Sequence, residues 1–393
     1  MNDVRRRGLI NGGIAAFVTF AIGAGLVARW TNDGDEIPPA VASPSPSVSP
    51  SPPCVPSWEV VTTDNLPETP VTLLGVTAVA ASEAWAVGAV GDPAQPSLVE
   101  IQRWDGTEWT RFEAPSPGSF INELRAVDAS EPNDVWAVGR TSSGFDESPL
   151  VLRFDGTAWA EVEVPDEVDG VLNDVVALSP SDVWAVGYVG EPAASLERAL
   201  VLHWDGFTWE IVDVRRAIGG GRAMLRDVDA VSPTDLWVVG YQQNRPLILR
   251  FNGLAWSKSE TEVDGELAAI EAFASSDVWA VGTPIQRFDG SAWTEAATIP
   301  DDAVLSDVAA VGGADLWSVG SRPAGEEGAS RVAVVRWDGR RWRFVDGPPV
   351  GGSDALTAVD ALPDGTVLAV GTRDLETGRR TLAVRGLTCT EAA

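Results

Sequence analysis

Few side chains in this sequence are equipped for acid–base, redox or metal chemistry, so each can be weighed singly. There is one histidine, His203, and there are two cysteines, Cys54 and Cys389, near opposite ends. No CxxC or Cys/His spacing suited to a metal occurs. His203 stands where other copies of a repeat carry arginine, which reads as a substitution rather than as a general base. Carboxylates are the richer class. Asp174, Asp227 and Asp307 fall in matching places of that repeat. Together they would offer oxygen ligands to Ca²⁺ or a counter-charge to a cationic ligand, although no set of six ligands is evident and no other cofactor is implied. Asp174 and Asp227, with Tyr188 or Tyr241, would also suit a glycoside hydrolase or lyase if their carboxyl groups stood ~5–9 Å apart. Anion recognition is the third chemistry. Arg140, Tyr188 and Tyr241 share one slot of the repeat, and Arg215, Arg216 and Arg222 crowd a segment containing Gly219-Gly220-Gly221. Guanidinium forks beside phenol rings suit an acidic peptide or an anionic sugar.

The rest of the chain is acidic. It carries 28 basic and 57 acidic residues, a net charge of −29, and Lys258 is its only lysine. A field of that sign repels nucleic acid and anionic lipid from the folded part.

The elements that must position these groups are set by an internal repeat. Its first half reads EAWAVG at 83–88, DVWAVG at 134–139, 182–187 and 277–282, DLWVVG at 235–240, DLWSVG at 315–320 and a degenerate TVLAVG at 366–371. Its second half is RWDGTEW at 103–109, with counterparts at 153–159, 203–209, 250–256, 287–293 and 336–342. VWAVG is apolar almost throughout, as a strand buried on both faces should be. Asp-Gly or Asn-Gly between apolar runs predicts a hairpin with a type I′ turn. Each unit therefore predicts four short strands; in the second unit these are 124–129, 135–139, 150–154 and 159–164. The fold class predicted is all-β, a seven-bladed β-propeller of four-stranded blades. The seventh unit lacks its fourth strand, and Ser57-Trp58-Glu59-Val60-Val61 matches the missing one. The N-terminal segment should therefore close the ring, placing Cys54 and Cys389 side by side as a disulfide, which an oxidising compartment permits.

The same strand order sorts the two ends of the ring. First-to-second turns and Asp-Gly turns are short and share one face. The connections around 89–97, 140–148, 188–198 and 215–222 vary and share the other, where binding groups are expected. Aligning the first strands by eye puts Thr77, Arg125, Asp174, Asp227, Ala268, Asp307 and Thr357 in one slot near the channel mouth. The recurring Asp before VW (134, 182, 235, 277, 315) is expected to cap backbone N–H groups of the preceding turn, and the Arg before W/FDG to make one local contact in every blade.

The phrase DVWAVG…RWDGxxW resembles the repeat of secreted bacterial propellers grouped with Kelch-like and galactose-oxidase-like domains. The resemblance covers 54–393 and implies the propeller fold. One histidine and two tyrosines cannot supply the copper ligands of galactose oxidases proper, and the Asp-box pattern of sialidases is missing. Before the propeller, Arg5, Arg6 and Arg7 precede an apolar stretch, Gly8 to Ala28, long enough to span a bilayer core of roughly 30 Å. Residues 1–30 are thus expected to be a cytoplasmic stub and single-pass anchor with the propeller outside the cell, or a signal sequence that releases a secreted form if cleaved. Residues 31–53 form an acidic, then Ser/Pro-rich linker. Three functions remain open. The first is a monomeric, membrane-tethered module binding a protein or glycan through the long-loop face without catalysis. The others are a propeller glycosidase or lyase and a structural or assembly factor of the envelope.

Overall fold

The computed structural model describes residues 57–387 except 67–68, 92–95, 145, 166, 191–196, 300–302, 313–314, 326–328, 349–350, 352 and 376–377. The described residues form seven four-stranded antiparallel sheets. Blade one spans 71–111, blade two 121–161, blade three 170–211, blade four 223–258, blade five 266–297 and blade six 304–344. Blade three shows the order from channel to rim: Gly170–Ser179, Asp182–Val189, Arg198–Trp204, Trp209–Ile211. Blade seven takes Ser353–Ala361, Val367–Leu375 and Gly378–Leu387 from the end of the chain and its rim strand, Ser57–Val60, from the beginning. Trp58 pairs with Gly386 in that ladder. In the second unit the two inner strands outrun the sequence reading, at Ile121–Glu131 and Asp134–Ser142. Polar residues there continue the ladder as far as the rim, with Asn122 opposite Thr141.

The repeat phrase is a packing instruction. The tryptophan of each WxVG strand faces the next blade, which covers it with the aromatic residue of its W/FDG and the tryptophan of its rim strand. Trp85 meets Phe154 and Trp159 at ring-centroid distances of 4.8 and 5.4 Å, and Trp136 meets Trp204 and Trp209 at 5.2 and 5.5 Å. The pattern runs through Trp184, Trp237 and Trp279. Trp317 is capped by Trp58 at 5.5 Å, and Leu368 shares a core cluster with Trp104 and Trp109 of blade one. Such pairs add ~0.5–1.5 kcal/mol each beyond the area they bury. The glycine that ends the phrase is equally constrained. A Cβ on Gly187 would lie 1.9 Å from the Val171 carbonyl oxygen, because a bulge between Leu172 and Asp174 pushes the innermost strand against it.

Two expectations about the short-turn face need correction. The aspartate before VW accepts from the arginine of the third strand instead of capping turn N–H groups: Asp134 from Arg153 at 2.7 Å, Asp235 from Arg250 at 2.7 and 3.0 Å, Asp315 from Arg336 at 2.6 Å. The guanidinium then lies over the blade's own tryptophan, 4.6–4.9 Å from the ring in four blades. His203 does the same, bonding Asp182 at 2.8 Å and stacking on Trp184 at 4.1 Å. The Asp-Gly turns are not type I′ either. Only their glycine has positive φ, 95° at Gly156. The aspartate accepts N–H bonds two and three residues on, Asp155 from Thr157 and Ala158, so the side chain builds the turn. The I′ signature of two positive φ angles occurs at Gln243 and Asn244, 51° and 66°, in blade four's second-to-third turn.

The expected anchor, linker and Cys54–Cys389 bridge lie outside the described residues, and no helix among the described residues is long and apolar enough to cross a membrane. Ring closure is testable where it is described. Trp58→Ala removes the cap on Trp317 and should cost about 3–5 kcal/mol, as other large buried aromatics do, read as a lowered midpoint in urea unfolding.

Candidate functional site

The bulge in each innermost strand skips one residue and redraws the channel slot. Asp174, Asp227 and Asp307 stand opposite Val186, Val239 and Val319. Their register mates are Gly75, Ala126, Ala269 and Ala358. Arg125, Ala268 and Thr357, aligned with the aspartates in the sequence, are instead the skipped residues, together with Asn173, Arg226 and Ser306. Thr77 lies one tier deeper with Asp128, Asp229, Glu271 and Asp360. The bulge residues, Asp227 and Asp307 line a small polar cavity of about 140 Å³ at the channel mouth, with Arg125 and Arg226 among its walls.

The aspartates tie blades together. Asp174 accepts the Val228 N–H of blade four at 2.8 Å, Asp227 the Ile270 N–H of blade five at 2.5 Å, and Asp307 the Val359 N–H of blade seven at 2.8 Å. The deeper tier repeats the contact: Asp128 to Ala177, Asp229 to Ala272, and Asp360 to Ala78 across the closing seam. Asp174 and Asp227 are close enough to influence each other's protonation. Burial pushes Asp174 up to about 7. Burial, and then the charge of a neighbouring aspartate, hold Asp227 and Asp307 well above the usual carboxylate range. No group of three metal-ligating side chains occurs among the described residues.

On the long-loop rim between blades three and four, the chain gathers a different set. Tyr241 lies between two guanidiniums, Arg222 at 5.6 Å and Arg226 at 5.5 Å from its ring. Its hydroxyl donates to Glu197 at 3.3 Å, and Arg222 reaches Glu197 at 3.5 Å and Asn244 at 2.6 Å. Glu197 is only 2% exposed. Burial and the Glu197 carboxylate raise the Tyr241 phenol, keeping it a donor. The other candidates are dispersed. Arg140 is held in blade two by Glu123 at 3.0 Å and by Glu147; Glu123 stays below the usual range despite its burial because Arg125 and Arg140 flank it. Tyr188 is buried at 5% exposure. Arg215 is paired with Asp213 at 2.7 Å. Arg216 is exposed on the four-residue helix Arg215–Ile218. Arg226 and Glu197 are the members the sequence reading missed. Arg226 occupies the same bulge position as Arg125, a signal that only the bulged register makes visible.

No protein-family model matches the chain, and no curated protein does. Solved structures do. A structure described as YCF48 bound to D1 peptide is 16% identical, with a TM-score of 0.58 over 84% of this chain and 97% of that one. A catalytically inactive virginiamycin B lyase from Staphylococcus aureus, solved with quinupristin, is 14% identical, with a TM-score of 0.59 over 85% and 100%. U3-55K is 11% identical, with a TM-score of 0.58 over 84% and 98%. The chain is a seven-bladed β-propeller. At these identities the likeness extends to the fold alone.

The propeller's channel carboxyls carry a pH signature. A carboxyl whose folded pKa is raised binds more protons folded than unfolded, so its stabilising contribution is full below the unfolded value near 3.8 and is lost as pH rises toward about 7. Asp227→Asn keeps an acceptor for Ile270 and removes the charge beside Asp174. It should flatten the fall in unfolding free energy between pH 4 and pH 7 and leave the variant more stable than the parent at neutral pH. Denaturant titrations of both proteins across that range would show parallel slopes if the pair were ordinary carboxylates.

Proposed function

We propose that the chain is a membrane-tethered, extracytoplasmic propeller of the Kelch-like kind that binds a protein ligand through its long-loop face without catalysis. The observation that carries this reading is the Arg222–Tyr241–Arg226 station. It puts two guanidiniums and a phenol on the rim of a protein whose net charge is −29. Cationic side chains on an acidic body recruit a carboxylate-bearing segment locally while the rest of the surface repels unselective polyanions. The solved structure of YCF48 with a peptide supports a propeller's suitability as a peptide platform. The triple arginine before the apolar stretch 8–28 supports the tether, with the propeller outside.

An array of acidic peptides, with anionic glycans on the same slide, tests the reading. The expected outcome is salt-sensitive peptide binding that weakens on the order of tenfold in the Arg222→Ala/Arg226→Ala variant. Binding confined to glycans, or peptide binding indifferent to both substitutions, would reject it.

A further inference from the structure

At the outer flank between blades three and four the rim packing is looser than at most seams, as it is at blade six, where Trp337 and Trp342 are also partly buried. The rim-strand tryptophans Trp109, Trp159, Trp209 and Trp293 are at most 5% exposed. At blade four the corresponding pair, Phe251 and Trp256, is only partly buried, and a groove of about 680 Å³ opens beside it. Its floor is Trp184, Phe251 and Trp256. At its short-turn end stands Leu254, 92% exposed, and the turn of adjacent blade three carries Phe207, 86% exposed. Other blades put Thr107, Thr157, Ser291 or Arg340 at that turn position. At its upper end the helix in the connection between the blades contributes Arg216, and the end of the rim strand contributes Lys258. Arg216 makes no hydrogen bond or ion pair among the described residues, and Asp213, the acid lining the groove, is taken by Arg215. The rim strand Trp256–Lys258 pairs on one side only, with Arg245–Phe251, so its outer edge is open.

We infer that this groove is a docking site for an extended segment of a partner protein carrying an aromatic or branched aliphatic side chain next to an aspartate or glutamate. The apolar side chain fills the space over Trp184 and Trp256 beside Leu254. The carboxylate meets Arg216 and Lys258. The segment lies along the open edge of the rim strand, where backbone pairing adds affinity without demanding sequence. Exposed aromatic and aliphatic surface beside unpaired arginine is the composition of binding hot spots rather than of ordinary solvated loops. Charge chooses among occupants. A second copy of this chain brings another strongly acidic body, whereas an acidic segment of otherwise modest charge satisfies Arg216 and competes with Glu260, which lies 3.9 Å from Lys258. This surface lies on the flank and is distinct from the Tyr241 station.

A phage-displayed library of short linear peptides, panned against the folded chain, tests it. The expected result is enrichment of sequences pairing a large apolar residue with Asp or Glu. Affinity of the best synthetic peptide should fall about tenfold in Leu254→Ser and again in Arg216→Glu. Both side chains are exposed, and an unchanged melting temperature confirms that the variants fold. Absence of enrichment, or affinity unchanged in both variants, would overturn the proposal. So would peptide binding abolished by Arg222→Ala/Arg226→Ala but not by Leu254→Ser, which would place capture on the long-loop face alone. Sedimentation showing a dimer that Leu254→Ser dissolves would overturn it in favour of self-association.

Discussion

An indole buried between two sheets is the constraint on which the rest of this structure depends. Six blades carry in their second strand a tryptophan that they cannot cover by themselves, and the neighbouring blade supplies the cover. The debt passes round the ring, so no blade is complete until the circle is. That is why the beginning of the chain returns to the end: Trp58 caps Trp317 edge-on, alongside the apolar residues of the seventh blade. The ion pair outside these indoles, Asp–Arg in most blades and Glu83–Arg103 in the first, is subordinate to them. It fixes the guanidinium flat over the ring, and where arginine is replaced, His203 keeps both the carboxylate partner and the stacking.

Near the axis, apolar packing gives way to hydrogen bonding. Aspartates in two tiers take backbone N–H groups from the following blade, and Asp360 carries the pattern across the seam where the ring closes. Asn173 and Thr357 extend it by donating to carbonyls of the next blade, Leu225 and Leu73. A carboxyl set in this place is desolvated and surrounded by its own kind, which explains its affinity for a proton. The same carboxyls that looked like ligands in the sequence are thereby committed to joining sheets. The groups left for recognition reach from Arg226 at the channel mouth out to the rim and the flank.

How much of this was legible depended on whether a residue's role repeats. VWAVG and DGxxW recur, so blade number, strand order and the closing strand around Trp58 could be read from spacing. The inner-strand bulge could not. It skips one residue without leaving a composition signal, and so Arg125 and Thr357 were aligned with aspartates that stand one register away. The Asp-Gly turns were misread for a related reason. The dipeptide permits a two-residue turn, but the aspartate side chain accepts two N–H bonds and holds a wider loop. At the candidate site, Tyr241 and Arg222 were visible as breaks in the repeat. Glu197 and Arg226 join them only because blades three and four pack face to face. Arg140 was equally visible, yet two glutamates of its own blade claim it.

The shared seventh sheet also orders events in time. Among the described strands, Ser57–Val60 is the first to be synthesised and its partner Gly378–Leu387 the last. Throughout synthesis the early strand has nothing to pair with, and each completed blade presents one uncovered indole to its surroundings. Contacts of such long sequence separation form slowly, and unpaired strands with exposed aromatic surface are what chaperones bind. Until Ser57–Val60 and Gly378–Leu387 pair, the described blades form an open arc with an adhesive end.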